Sequence, residues 1–349
     1  MRAVVYPKPN EILISDVPVQ KPREGEALVR IKSTTICGTD LKILAGKFPA
    51  TKFPHIPGHE WSGDVVEVGP GVSRLAVGDK VAVEPHVGCG ACARCLEGLY
   101  NLCQNYGKVE TGHAHIGFTT SGGLAEYCTV SVKALHKLPE NMSYDQGAFT
   151  ESVGVALYAI ERASINPGDS VALIGPGAIG LIAVQIAKGM GGSNIAIFGT
   201  REERLELGRK FGADVLVNVR SVQDPVQYAK DQIHSDGYDV VVEFAGTEQA
   251  ASDAIKLARR GGRVSLAGAT SPGRNLNVDL SLIVRGHLNI YGALADPKWV
   301  CERAVKLISS GLVNVAPLMS GDYKLDEYRN ALEAFEKRLG GAYRIMIHP

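Results

Sequence analysis

Up to about residue 150 the apolar positions of the chain come in short runs of β type. Stretches 2–6, 27–33, 61–68, 80–83 and 124–130 are rich in β-branched and other strand-forming residues, and turn signals such as Gly69-Pro70-Gly71 and Gly78-Asp79 separate them. Beyond that point the pattern changes. Residues 171–174 form a continuous apolar run, as expected of a parallel strand covered on both faces, launched by the turn Asn166-Pro167-Gly168-Asp169. An apolar helix to about Met190 follows, and strands predicted at 194–198, 215–219, 239–244, 263–267 and 288–291 alternate with helical stretches. That alternation predicts an α/β fold with a doubly wound parallel sheet in the middle of the chain. The tail from Trp299 returns to helix and ends in a closing strand predicted at 343–347. No internal repeat or low-complexity linker interrupts the chain.

Length and composition narrow this picture. A chain of 349 residues exceeds the usual size of one hydrophobic core, so two domains are expected. Hydrophobic residues make up 45% and the formal net charge is zero, which gives no reason to expect nucleic acid or an acidic membrane as partner. No segment approaches the continuous apolar length of a membrane span, and the apolar run after Met1 is too short for a secretory signal. A cytoplasmic protein with reduced cysteines is the expectation.

Four of the seven cysteines change the picture most. Cys89, Cys92, Cys95 and Cys103 stand at C-x2-C-x2-C-x7-C spacing, with Gly90, Ala91, Ala93 and Arg94 between the first three. Four thiolates within fifteen residues make a closed tetrahedral site of the kind Zn²⁺ favours, with no position left for water. A disulfide framework fits poorly in a long chain of this composition.

The second signal is Gly175-Pro176-Gly177-Ala178-Ile179-Gly180, a G-x-G-x-x-G run that follows a predicted strand and opens a predicted helix. In that context Gly175 makes the tight turn, Gly177 lets backbone approach a pyrophosphate, and Gly180 allows close helix–sheet packing. The free N–H groups of the helix start, at Ala178 and Ile179, favour the anion. At the end of the second strand, where a carboxylate would hold the ribose 2′-hydroxyl of NAD, the chain reads Phe198-Gly199-Thr200-Arg201. Gly199 removes the acid, and Arg201, with Arg204, offers cations suited to a 2′-phosphate, so NADP is expected over NAD. Thr200 also has the residue type of an N-cap for the next helix, with Glu203 completing a capping box.

A third constellation is quieter: Cys37-Gly38-Thr39-Asp40, then Gly58-His59-Glu60, and later Glu151. Taken with the four-cysteine run and the dinucleotide fingerprint, in this order, it resembles the zinc-containing alcohol dehydrogenases of the medium-chain dehydrogenase/reductase family over essentially the whole chain. The resemblance implies a GroES-like β-rich catalytic domain over 1–152, completed by 293–349, and a Rossmann domain over 153–292. It implies two zinc ions per chain. The catalytic one takes Cys37 and His59, with Glu151 where members supply a third ligand and Glu60 as the neighbouring acid that ligates in some members. The structural one takes the four clustered cysteines, in a loop at 88–104. Thr39 matches the hydroxyl of a proton relay, and Asp40 the carboxylate that orients the zinc-bound imidazole. Two positions depart from the family pattern: Lys42 stands where many members carry a relay histidine, and Ser152 where polyol-dehydrogenase-like members commonly have proline.

What the resemblance implies is an oxidoreductase moving a hydride between a secondary alcohol, such as a polyol, sugar or cyclitol, and NADP(H). An NAD-dependent polyol or threonine dehydrogenase is the alternative. A homo-oligomer, tetramer or dimer, is implied as well, with a small molecule as substrate. A zinc-free quinone reductase would not need Cys37, His59 and Glu151, and a zinc-stabilised nucleic-acid module would not need the fingerprint. His113 and His115 read as surface residues, or as one side chain lining the substrate cleft together with Phe48, residues 113–118 and Leu294. Cys128 and Cys301 read as buried small apolar residues, and 205–211 as an amphipathic helix beside the nucleotide site.

Overall fold

The computed structural model describes residues 1–268, 273–295 and 297–349. The chain divides into two compact units: residues 1–154 with 296–311 and 315–349, and residues 155–295 with 312–314.

The first unit grows from β1 (Glu26–Ile36), whose inward residues Ala27, Val29 and Ile31 are buried against Trp61, Val65, Val81 and Leu135. β1 leads into the short helix α1 (Gly38–Leu44) and then β2 (Trp61–Val68), β3 (Lys80–Val83), β4 (Tyr127–Ser131) and β5 (Leu135–Lys137). Helix α2 (Thr150–Ala163) carries the chain into the second unit, where β6 (Ser170–Ile174), α3 (Ala178–Gly189), β7 (Ser193–Gly199), α4 (Glu202–Lys210), β8 (Val215–Asn218), β9 (Tyr238–Glu243), β10 (Ala258–Leu266) and β11 (Asn289–Gly292) follow. The tail returns to the first unit as α5 (Lys298–Ser309), β12 (Met319–Lys324) and β13 (Arg344–His348).

The sheet of the first unit runs β12-β13-β1-β2-β3-β5, with β4 also paired to β1. β13 lies antiparallel to β1, with Ile345 opposite Ile36 and Ile347 opposite Thr34, so the last residues of the chain close the sheet that the first third begins. β12 was not expected from the pattern: Met-Ser-Gly-Asp-Tyr-Lys carries little apolar alternation, and it pairs parallel with β13 at the sheet edge. The run at 2–6 forms Arg2–Val5, paired with Leu13–Asp16 outside the larger sheet.

The second unit is a six-stranded parallel sheet ordered β8-β7-β6-β9-β10-β11. Every residue of β6 is buried, as a strand covered on both faces requires. The order reverses between β6 and β9, the topological switch point at which open α/β sheets of this kind bind ligands. Among the described residues, no helix is long and apolar enough to cross a membrane.

Candidate metal and dinucleotide sites

Cys37 sits between the end of β1 and the start of α1, and Asp40 in the first turn of that helix accepts the Cys37 backbone N–H through Oδ2 at 2.8 Å. The same carboxylate is fully buried and turns Oδ1 toward His59 Nδ1, 3.5 Å away. One acid thus fixes both the loop carrying the cysteine and the ring of the histidine. His59 follows Gly58, whose φ of +99° and whose missing β-carbon, 2.6 Å from the Leu124 backbone nitrogen, leave no room for another residue. Cys37, His59 and Glu60 each bring a ligand atom to within 4.8 Å of the others.

Glu151 is not in that three-residue group, although its charge acts on Arg344. The structure therefore assembles Glu60, the adjacent acid of the sequence reading, with the cysteine and histidine. Glu60 is buried, and both oxygens are held: Thr35 donates to Oε2, while Ser152 at 3.0 Å and Arg344 at 2.9 Å donate to Oε1. Burial alone would raise its pKa, but Arg344, His59 and the two hydroxyls outweigh burial and push it down to about 2. Burial likewise opposes a charged His59, and Asp40 and the Cys37 thiol overcome it, raising its pKa. Thr39 Oγ1 lies 3.8 Å from Cys37 Sγ.

The donor set suits a metal. A thiol, an imidazole and a carboxylate converge in a buried place, and two buried polar atoms without hydrogen bonds, His59 Nδ1 and Asp40 Oδ1, face each other there. A carboxylate behind an imidazole is the arrangement that aims the ring at a metal.

Cys89, Cys92, Cys95 and Cys103 also converge, all four sulfurs within 4.8 Å of one another. The Cys89–Cys95 and Cys92–Cys103 pairs stand 3.9 Å apart, and all are free thiols. Sulfurs about 2.3 Å from a tetrahedral Zn²⁺ would lie about 3.8 Å apart, so the spacing fits. The Ala91 backbone N–H and the Asn105 amide pull the Cys89 thiol down to about 6, preparing a thiolate. Burial pushes Cys95 the other way, up to about 12, which a bound cation would reverse.

In the second unit the fingerprint lies where expected. Gly175 has φ +103°, and a β-carbon on Gly180 would meet the Gly175 carbonyl oxygen at 2.0 Å, so helix and turn touch there. A β-carbon on Gly177 would meet nothing within 4 Å, which leaves open space at the start of α3. Gly177 caps that helix without any side-chain hydrogen bond, and Ala178 and Ile179 begin it. At the end of β7, Gly199 is buried, Thr200 exposed and Arg201 partly exposed. Arg201, not Thr200, is the N-cap of α4, which corrects the capping box expected from Thr200 and Glu203. Arg201 keeps an extended backbone, φ −133° and ψ 123°, which leaves its cation out of the first helical turn, where it would oppose the macrodipole. Arg204 is buried, only 8% exposed, so of the two expected cations Arg201 is the more accessible.

The histidines at 113 and 115 are buried, which corrects their reading as surface residues. His115 stacks on Phe118 at 3.5 Å and on His86 at 3.8 Å, its Nδ1 lies 2.6 Å from the Tyr106 hydroxyl, and Phe118 in turn packs on His59 and Phe48. Burial, then the neighbouring rings of His113 and His59, pushes His86 down to about 3. Cys301, expected as an apolar residue, lies in a buried group with Glu84 and His136, whose side chains meet at 2.7 Å. No local motif marks Glu84, His136 and Cys301, because the loop after β3, the strand β5 and the helix α5 bring them together. Leu294 is exposed in the second unit.

Known proteins resemble this chain along its whole length. The model of the alcohol dehydrogenase GroES-like domain matches residues 23–140, and that of the zinc-binding dehydrogenases matches 178–310. The chain is 36% identical to the L-threonine 3-dehydrogenase of Pyrococcus furiosus, covering 99% of each, and 31% identical to the sorbitol dehydrogenase of Bacillus subtilis, covering 100% of this chain and 97% of the other. Among solved structures it resembles a protein described as a zinc-binding dehydrogenase of Sinorhizobium meliloti 1021 bound to NADP, with TM-score 0.92, 29% identity and coverage of 100% and 99%. An alcohol dehydrogenase of Escherichia coli CFT073 complexed with NADH gives TM-score 0.91, 27% identity and coverage of 100% and 99%.

Proposed function

Since the chain belongs to the zinc-containing alcohol dehydrogenase family, we propose that it moves a hydride between a secondary alcohol, of the polyol, sugar or cyclitol class, and NADP(H). The observation that carries this reading is the buried convergence of Cys37, His59 and Glu60 within 4.8 Å, in a chain that also holds a dinucleotide fingerprint on a parallel sheet. When bound, zinc supplies the Lewis acidity that makes an alcohol acidic, and the nicotinamide supplies the hydride acceptor.

The chain's own residues do the rest. Cys37 and His59 hold the metal, with Glu60 or Glu151 as third ligand, and the other four cysteines brace a second ion, giving two zincs per chain. Asp40 Oδ1 orients the His59 ring. Thr39 Oγ1, beside the Cys37 sulfur, accepts the proton that the alcohol gives up and passes it on. Gly175, Gly177, Ala178, Ile179 and Gly180 would hold the pyrophosphate, Gly199 and Thr200 would border the ribose, and Arg201 would supply the cation for a 2′-phosphate. We expect a cytoplasmic homo-oligomer.

An NAD-dependent polyol or threonine dehydrogenase is the second reading, and the burial of Arg204 favours it, because it leaves fewer cations for a 2′-phosphate. A spectrophotometric screen pairing NAD and NADP with sugars, polyols, cyclitols, threonine and simple alcohols decides between them. Faster turnover with NAD on threonine would replace the first reading with the second. No turnover on any alcohol, in protein carrying two zincs, would overturn both.

A further inference from the structure

Ser152 stands one residue after Glu151 in the first turn of α2, and none of its surface is exposed. A buried hydroxyl costs stability unless both its donor and its acceptor roles are filled. Here both are filled by charged groups. Arg344 Nη2 lies 3.0 Å from Ser152 Oγ, Ser152 Oγ lies 3.0 Å from Glu60 Oε1, and Arg344 Nη2 lies 2.9 Å from that same oxygen. The three polar atoms form a nearly equilateral triangle.

The directions of its hydrogen bonds are fixed by chemistry. Guanidinium has no acceptor, so Ser152 must accept from Arg344, and its single proton must then go to Glu60. A proline, as polyol-dehydrogenase-like members commonly carry at this position, could do neither. The Glu60 oxygens are therefore held by three donors, Thr35, Ser152 and Arg344, while the same carboxylate lies within 4.8 Å of the ligand atoms of Cys37 and His59. Donors and metal compete for the same lone pairs.

We propose that Ser152 is a positioning residue that holds the Glu60 carboxylate against Arg344 and thereby limits its reach to the metal held by Cys37 and His59. This rests on the zinc reading of that site. Without the serine hydroxyl, Glu60 loses one of its three donors and becomes a stronger metal ligand. The metal is then held more tightly, and the position an alcohol needs is occupied more of the time.

The test uses the full-length zinc-loaded protein and follows release of zinc to a coloured chelator, with metal analysis beforehand. In Ser152→Ala one of the two zincs should leave about tenfold more slowly, the scale expected of groups that orient metal ligands. KM for the alcohol should rise while kcat changes little. Ser152→Thr, which keeps the hydroxyl, should release zinc at the wild-type rate, and Ser152→Cys, a weaker donor of similar size, should fall between and serve if the alanine variant does not fold. The effect should vanish in a Glu60→Gln background. Unchanged or faster release in Ser152→Ala, or an effect that persists with Glu60→Gln, overturns the proposal while leaving the zinc site standing. A zinc content that does not fall in Cys37→Ser overturns the zinc reading of that site as well.

Discussion

A β-carbon placed on Gly199 would lie 2.4 Å from Cγ of Pro176, so the proline of the phosphate turn fills the space where a side chain at the end of β7 would sit. The position that would carry a ribose-binding acid is closed by the turn itself. Gly199→Asp, the obvious change toward NAD, should therefore overpack the turn and cost about 1–3 kcal/mol of stability. It should weaken binding of both dinucleotides in a fluorescence titration. Pairing it with Pro176→Ala should restore binding and shift it toward NAD; a clean switch by Gly199→Asp alone would refute the steric account.

Arg201 and Arg204 separate by accessibility. Arg201→Ala should raise KM for NADP at least tenfold and leave KM for NAD nearly unchanged, the loss of a charged hydrogen bond worth about 1.5–3 kcal/mol. Arg204→Ala, at a buried position, should lower the melting temperature more than it changes the NADP/NAD ratio. Equal effects of Arg201→Ala on both cofactors would remove the 2′-phosphate assignment.

Gly88 has no room for a side chain either: a β-carbon would meet Tyr100 Cβ at 2.4 Å and Cys95 Sγ at 2.7 Å. Gly88→Ala should displace Cys95 from the tetrahedron. Metal analysis should then find one zinc per chain in place of two, with thermal stability reduced. Retention of two zincs would show that the lobe absorbs the extra carbon.

Asp40 joins the helix start to the His59 ring. Asp40→Asn keeps its size but offers a neutral group to the ring, and kcat should fall about 10–100-fold with cofactor affinity unchanged. Stopped-flow measurement of nicotinamide reduction separates this loss from slower product release.

His86 sets a pH dependence of stability. Its pKa is depressed in the fold, from about 6.5 to about 3, by burial and by the His113 and His59 rings, so the unfolded chain binds its proton first. The stabilisation is complete above pH 6.5 and is lost as pH falls toward 3, by about 2 kcal/mol at pH 5. Denaturant midpoints should drop between pH 8 and pH 5, and His86→Phe should flatten that drop. An unaltered drop in the variant would assign it to other groups.

Much of this was readable in the sequence where a local pattern carries the signal. Parallel strands announce themselves as continuous apolar runs, so β6, β7 and β9 fell within a residue or two of expectation, and the glycine fingerprint and the cysteine spacing are contiguous motifs. β12 escaped because a polar edge strand lacks alternation, and the capping role of Arg201 escaped because helix starts are decided by a competition among neighbouring residues.

The sequence by itself determined the inventory: four thiols in one loop, a phosphate turn without a following acid, and Cys37, His59, Glu60 and Glu151 in family order. Only the tertiary structure decided which of those acids meets the cysteine and the histidine. It also brought Arg344, from the last strand, and Ser152, from a distant helix, onto Glu60, where they restrain the acid that meets them. Residues separated by 92 and 284 positions have no local pattern to link them. Arg344 is brought there by β13 pairing with β1, a long-range contact that packing fixes and no short motif encodes.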